Sequence, residues 1–225
     1  MRLNRFLASC GLGSRRAVEA LIAAGRVRIN ARLARLGDTV DPQHDSVTVD
    51  AQRVAPKPAA LETIVLNKPA GVITTMHDER GRKSVAALLP AGKRLYPVGR
   101  LDAATTGVLV CTNDGTLADS LLRAGHRVPR VYRVTVRGPL SQHAIAALGA
   151  CDARTACDGT VTFSLTLYEG RNRQVRRLCA RQGLEIVALV RTQFGPVRLG
   201  KLALGRTRAL TRAERDALHR LQHGG

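Results

Sequence analysis

The sequence predicts an α+β protein in two parts: a small helix-plus-hairpin module, then a larger domain on a mixed or antiparallel sheet. Three observations predict it. Apolar residues in 1–51 recur at helical spacing and then switch to short alternating runs. Residues 52–60, with Pro56, Lys57 and Pro58, read as a stiff extended linker. From residue 61 to 225, strand-like runs alternate with short amphipathic stretches over long connections.

Taken in order, Leu3 to Ala8 predicts a short helix that ends at Gly11. Ser14 caps a second helix, Arg15 to Ala24, with Ala17, Val18, Leu21 and Ile22 on one face and Gly25 as its stop. Strand signals follow at Val27 to Ile29 and Ser46 to Val49. In the larger part, strands are expected at Thr63 to Leu66, Val108 to Thr112, Val131 to Arg137, Val161 to Leu167 and Ile186 to Arg191. The fourth alternates cleanly, with Val161, Phe163, Leu165 and Leu167 inward. Helices are expected at Thr116 to Arg123, Ser141 to Leu148, Arg171 to Gln182 and Arg212 to Leu221. The last opens with Thr211-x-x-Glu214, a capping box.

Composition narrows the partner. The chain carries 36 Lys+Arg against 17 Asp+Glu, a formal charge of +19. Such an excess implies a polyanion, because basic side chains that neutralise phosphates release condensed counterions. A membrane surface is disfavoured, since no apolar run approaches the about 18 residues of a spanning helix and the opening residues lack a signal-type apolar core. A soluble, cytoplasmic nucleic-acid protein is expected. Residues 1–35 hold eight arginines (Arg2, Arg5, Arg15, Arg16, Arg26, Arg28, Arg32, Arg35) and one acid, Glu19, which points to phosphate contacts. Aromatics are only 3%, too few for an aromatic stacking platform, so folded RNA read by backbone and shape fits better.

The five cysteines include no Cys-x-x-Cys pair, and Cys151 and Cys157 have no histidine at ligand spacing. With no phosphate loop or dinucleotide fingerprint either, neither a metal nor a cofactor is implied.

The most informative stretch runs from Tyr96 to Gly107 and places one carboxylate, Asp102, in a glycine-flanked loop between apolar runs. A lone Asp in a loop is ordinarily a turn former. Here Gly99-Arg100-Leu101-Asp102 comes with Lys68-Pro69-Ala70-Gly71, Arg130-Val131-Tyr132 and Asn172-Arg173-Gln174-Val175-Arg176-Arg177, in that order. The set resembles the ribosomal branch of the RNA pseudouridine synthases, and the resemblance covers essentially the whole chain. Residues 1–51 resemble the alpha-L RNA-binding domain of small-subunit ribosomal protein S-four, through Arg2-Leu3, Phe6-Leu7, Ser14-Arg15-Arg16 and Gly25-Arg26-Val27. One position departs: that domain normally has Asn-Gly in its hairpin, and this chain has Asn30-Ala31. Either the turn differs or alanine sits strained there, at about 1 kcal/mol.

The resemblance implies isomerisation of uridine in ribosomal RNA: N1–C1′ breaks, C5 joins C1′, and the C5 proton leaves. Asp102 would be the catalytic carboxylate, by attack at C1′ or by a glycal route. Arg176 would hold it ionised and oriented, and Tyr132 would pack on the flipped uracil. Arg100 and Lys68 would hold phosphates or the loop, with Arg173 and Arg177 and the module's Arg2, Arg5, Arg15, Arg16, Arg26 and Arg28 as further RNA contacts. The partner is then ribosomal RNA, free or in assembling subunits, and the protein a monomer. The 78–82 segment and the 169–173 segment look closer to the large-subunit enzymes, so 23S is favoured over 16S. The rivals are a non-catalytic RNA-binding or ribosome-assembly factor on the same scaffold, disfavoured by the intact Asp102, Tyr132 and Arg176 set, and a DNA-binding regulator, disfavoured by the absence of a recognition-helix pattern.

Overall fold

The computed structural model describes residues 1–56, 60–138 and 140–223, and the chain divides into two compact units, Met1–Ala60 and Leu61–Gly225. In the first unit, helices α1 (Leu3–Ser9) and α2 (Arg15–Ala23) accompany four antiparallel strands. These are β1 (Val27–Ile29), β2 (Arg32–Leu33), β3 (Val47–Val49) and β4 (Gln52–Arg53), in the order β2-β1-β3-β4. The Ser14 hydroxyl accepts from the Ala17 amide at 3.1 Å, the expected cap. Leu3, Phe6, Leu7, Val18 and Ile22 bury against Val27, Ile29, Val47 and Val49. Each such buried side chain contributes about 1.5–3 kcal/mol.

Both hairpins of this sheet turn on two left-handed residues. Asn30 and Ala31 have φ of 47° and 67°, and Asp50 and Ala51 have 50° and 64°. The departure seen in the sequence is therefore resolved as strain, not as a different turn. Asn30 offsets part of it: its Oδ1 accepts from the Ser46 amide at 2.8 Å, and its Nδ2 donates to Asp45 at 2.6 Å. The second hairpin also corrects the expected linker. Gln52 and Arg53 pair with Val49 and Thr48, and Val54 packs on the core. Lys57 and Pro58 lie outside the described residues.

The second unit is built on a nine-stranded sheet. Its elements are β5 (Thr63–Lys68), β6 (Tyr96–Pro97), β7 (Thr106–Thr112), α3 (Gly115–Leu122), β8 (Arg130–Arg137), α4 (Gln142–Leu148), β9 (Cys151–Thr155), β10 (Val161–Leu167), α5 (Gln174–Arg181), β11 (Glu185–Phe194), β12 (Val197–Arg198), β13 (Thr207–Ala209) and α6 (Arg212–His223). The order is β13-β5-β7-β11-β8-β10-β9, with β6 on β7 and β12 on β11. Among the strands of the described residues, β7 and β11 run parallel, through Thr106–Val190 and Gly107–Arg191, and the other strand pairs are antiparallel. The expected α+β class with a mixed sheet holds.

Alternation explains how β5 and β7 are covered on both faces. Val65, Val108 and Val110 pack toward α3 and α6, while Ile64, Leu66, Leu109 and Cys111 pack toward the 72–101 segment. A third apolar cluster joins β8, β10 and β11 to α5, and Tyr132 touches both it and the cluster under the 72–101 segment. The capping box forms as expected, with the Glu214 amide donating to Thr211 Oγ1 at 3.2 Å and the Thr211 amide to Glu214 Oε2 at 2.9 Å. Helix α5 starts three residues later than expected. Arg173 is left-handed at φ 48°, and the Gln174 side chain ties the preceding loop by accepting from the Arg171 amide and donating to Glu169. Of this unit's four unexpected strands, β6, β12 and β13 are two or three residues long, and β9 is exposed along its whole length, so it has no alternation to read.

Candidate active site

A cleft of about 200 Å³ opens where the loop before β7, the faces of β8 and β11, and the start of α5 converge. The loop is held from behind. Thr74 Oγ1 donates to the Leu101 carbonyl at 2.7 Å and accepts from its amide at 3.2 Å. The Gly71 amide donates to Ala103 O at 2.9 Å, and the Thr105 amide to Asp102 O at 3.0 Å. Gly71 is left-handed at φ 78°, which the turn after Pro69 requires.

Lys68 is fully buried beneath this loop. Its Nζ donates to Pro69 O at 2.8 Å, Val72 O at 2.7 Å and Ala103 O at 3.2 Å, which uses all three ammonium protons. Burial pushes its pKa down to about 8, and the negative charge of Asp102 opposes that. Of the two roles expected for Lys68, the geometry leaves the loop and removes the phosphate.

Asp102 and Tyr132 are half-buried on the cleft wall, and Arg176 reaches it from the first turns of α5. Arg176 Nε lies 3.8 Å from Asp102 Oδ2, an ion pair without a hydrogen bond. That Nε is buried and has no hydrogen-bond partner, while Nη2 donates weakly to Ala104 O at 3.5 Å. A sub-ångström shift would turn the contact into a charge-assisted bond, as catalytic pairs commonly tighten on binding. Arg100 and Arg173 are exposed on the cleft rim, and Arg177 is exposed without lining the cleft.

In the first unit, Arg15 and Arg16 are exposed at the start of α2. Arg26 is less available, with Nε at 2.8 Å and Nη2 at 2.5 Å from the Asp50 carboxylate. Arg2 donates to Gly37 O, Arg28 donates to Ala31 O at 2.9 Å, and Arg5 is half-buried. Cys151 and Cys157 are exposed thiols.

Sequence reasoning missed two side chains in the cleft, Arg130 and Arg191, both nearly buried. A signal existed for the second: Arg191 shares strand parity with buried Leu189 and closes the apolar run Ile186 to Val190.

Two family models match the chain, RNA pseudouridylate synthase over residues 62–154 and the S4 domain over residues 1–47. A protein of Mycobacterium tuberculosis described as an uncharacterized RNA pseudouridine synthase is 40% identical over 237 residues, covering 97% of this chain and 93% of the relative. Ribosomal large subunit pseudouridine synthase B of Pseudomonas aeruginosa is 38% identical, over 96% of this chain and 61% of its own length. Dual-specificity RNA pseudouridine synthase RluF of Escherichia coli O157:H7 is 36% identical, over 98% and 79%. Among solved structures, a pseudouridylate synthase matches with a TM-score of 0.66 at 26% identity, covering 97% of this chain and 99% of its own.

Proposed function

The chain belongs to the RNA pseudouridine synthase family, and from that footing we propose that it isomerises uridine in ribosomal RNA, in 23S rather than 16S, with Asp102 as the acting carboxylate. The carrying observation is the Asp102–Arg176 pair at 3.8 Å in a cleft that Tyr132 also lines. The uridine leaves its stack to enter that cleft, at a few kcal/mol. Asp102 then acts at the ribose, by bonding to C1′ or through a glycal, with Arg176 aiming it and Tyr132 packing on the base. Residues 1–51 anchor the RNA, through Arg15 and Arg16 above all, with Arg100 and Arg173 holding phosphates at the cleft rim. The large-subunit preference rests on the 78–82 and 169–173 segments and on the name of the Pseudomonas aeruginosa relative.

The experiment is pseudouridine mapping of ribosomal RNA from cells with and without the gene. The expected result is the loss of one or a few sites in 23S. Loss confined to 16S would overturn the subunit assignment, and an unchanged map would overturn the activity.

A further inference from the structure

Two arginines without a part in the mechanism above lie at the back of the cleft. Arg191 on β11 is 3% exposed, and Arg130 on β8 is 8% exposed. The strands are antiparallel neighbours, with Phe194 opposite Arg130 and Arg191 opposite Tyr132. The two guanidinium carbons accordingly flank one ring, 5.3 and 4.7 Å from the Phe194 centroid.

Both guanidiniums bond to backbone carbonyls, and Arg191 also meets the Tyr132 hydroxyl. Arg130 Nη1 donates to Val128 O at 3.0 Å and Tyr168 O at 3.1 Å, and Arg191 Nε donates to Val108 O at 2.8 Å. Arg191 Nη2 is buried with no hydrogen-bond partner. Burial lowers the pKa of both, Arg130 further disfavours the charge on Arg191, and the group favouring charge on both is the Tyr132 hydroxyl. Among the described residues no carboxylate pairs with either. Interiors rarely hold guanidiniums without a counter-charge, so a cluster of this kind lining a cleft marks a place prepared for developing negative charge.

We propose that Arg191 and Arg130 form an electrostatic floor that takes up the negative charge of the departing uracil. The inference rests on the uridine isomerisation proposed above. There the N1–C1′ bond breaks with its electron pair staying on N1, while C1′ bonds to an Asp102 oxygen or the ribose gives its C2′ proton to Asp102. The freed base is an anion whose charge spreads over N1 and both carbonyl oxygens. It is consumed when C5 bonds to C1′, which frees the Asp102 carboxylate or returns the C2′ proton from it, after which the C5 proton passes to solvent and N1 takes one up. Between those steps the base turns, so the charge must be stabilised in more than one orientation. Two delocalised guanidiniums do this through their field, without one fixed contact. The other cations are placed differently: Arg176 faces Asp102, the Lys68 ammonium is closed off by three carbonyls, and Arg100, Arg171 and Arg173 are exposed at the rim.

The test compares wild type with Arg191→Met and Arg191→Lys under single turnover on 16S and 23S rRNA transcripts, made with uridine or with 5-fluorouridine. Loss of the parent nucleoside after digestion is the readout, with transcript binding and thermal melting measured in parallel. Arg191→Met should lose ~100-fold in rate on uridine while keeping wild-type binding, as removal of one preorganised charge donor does. Fluorine makes the uracil a better anionic leaving group, so the loss on 5-fluorouridine should shrink to ~10-fold. Arg191→Lys, which keeps the charge, should stay well above the Met variant on both. Removing an unpaired buried charge should leave the melting temperature unchanged or raised. A folded Met variant with an unchanged rate, or with equal losses on the two bases, overturns the proposal. So does a Met variant that fails to fold, since Arg191 would then be joining β7 to β11. If wild type converts neither transcript, the functional reading has failed instead.

Discussion

The Lys68 ammonium donates to the carbonyl of Ala103, one residue past Asp102, at 3.2 Å. It also holds the Pro69 and Val72 carbonyls. The Lys-Pro-x-Gly segment and the Asp102 loop are thereby one rigid piece, although strand β5 and the loop are far apart in sequence. Lys68→Met should leave RNA binding and its salt dependence unchanged, because no phosphate can reach Nζ. It should cost ~10–100-fold in turnover by loosening the acid and stranding three carbonyls.

The same lysine makes a pH prediction. Its pKa of about 8 should place a falling limb on the rate as pH rises, with the loop losing its charged tie. Free lysine titrates at 10.5, so between about 8 and 10.5 the unfolded chain holds a proton that the folded chain has released. This group's contribution to stability therefore increases with pH across that window. Single-turnover rates and denaturant midpoints measured over the same range should move in opposite directions. Lys68→Met should remove both trends.

Asp102→Asn is nearly isosteric yet cannot act as nucleophile or base. Tritium release from RNA labelled at uracil C5 should vanish while binding stays near wild type. Turnover within tenfold of wild type would remove Asp102 from the mechanism. On the proposed role of Arg176 in aiming the acid, Arg176→Ala should cost ~100-fold in kcat with a smaller change in KM.

The strained hairpins offer gains. Ala31→Gly and Ala51→Gly should each stabilise the first unit by about 1 kcal/mol, because glycine meets no penalty at positive φ. Denaturant titration of the single and double variants would read this, and the two should add. A null result would place the compensation in the Asn30 and Asp50 side chains.

A chain beginning at residue 61 should bind rRNA transcripts more weakly and with a shallower salt slope, because the exposed arginines of the first unit are gone. Equal affinity with an equal slope would show that the anchor lies elsewhere.

What could be read in advance follows from where physical signals are local. The caps at Ser14 and Thr211, and the alternation of Val161 to Leu167, are written in adjacent residues and appear in the structure as expected. The start of α5 and the strand at Gln52–Arg53 were not legible, because an arginine and an alanine take left-handed conformations that residue type argues against. For Lys68 the sequence leaves phosphate and loop open, because its burial depends on the Asp102 loop folding over it. Arg130 and Arg191 escaped notice because a charge inside a strand is ordinarily read as solvent-facing, and only the pairing of β8 with β11 puts both around Phe194.

The parallel joint between β7 and β11 should be the last part of the cleft to form. It is only two registered pairs long, and it closes against Gly107, where an added Cβ would collide with the Arg191 carbonyl oxygen. One hydrogen bond that crosses it, from Arg191 to Val108, spans 83 residues. Strands β5, β6 and β7 lie on one side of the joint and β8, β9 and β10 on the other, each group reached by shorter chain excursions. Long-range parallel pairing is slow, because its closure entropy is met before its contacts form. Asp102 lies beside the first group and Tyr132 in the second, so both line one cleft only when the seam is shut.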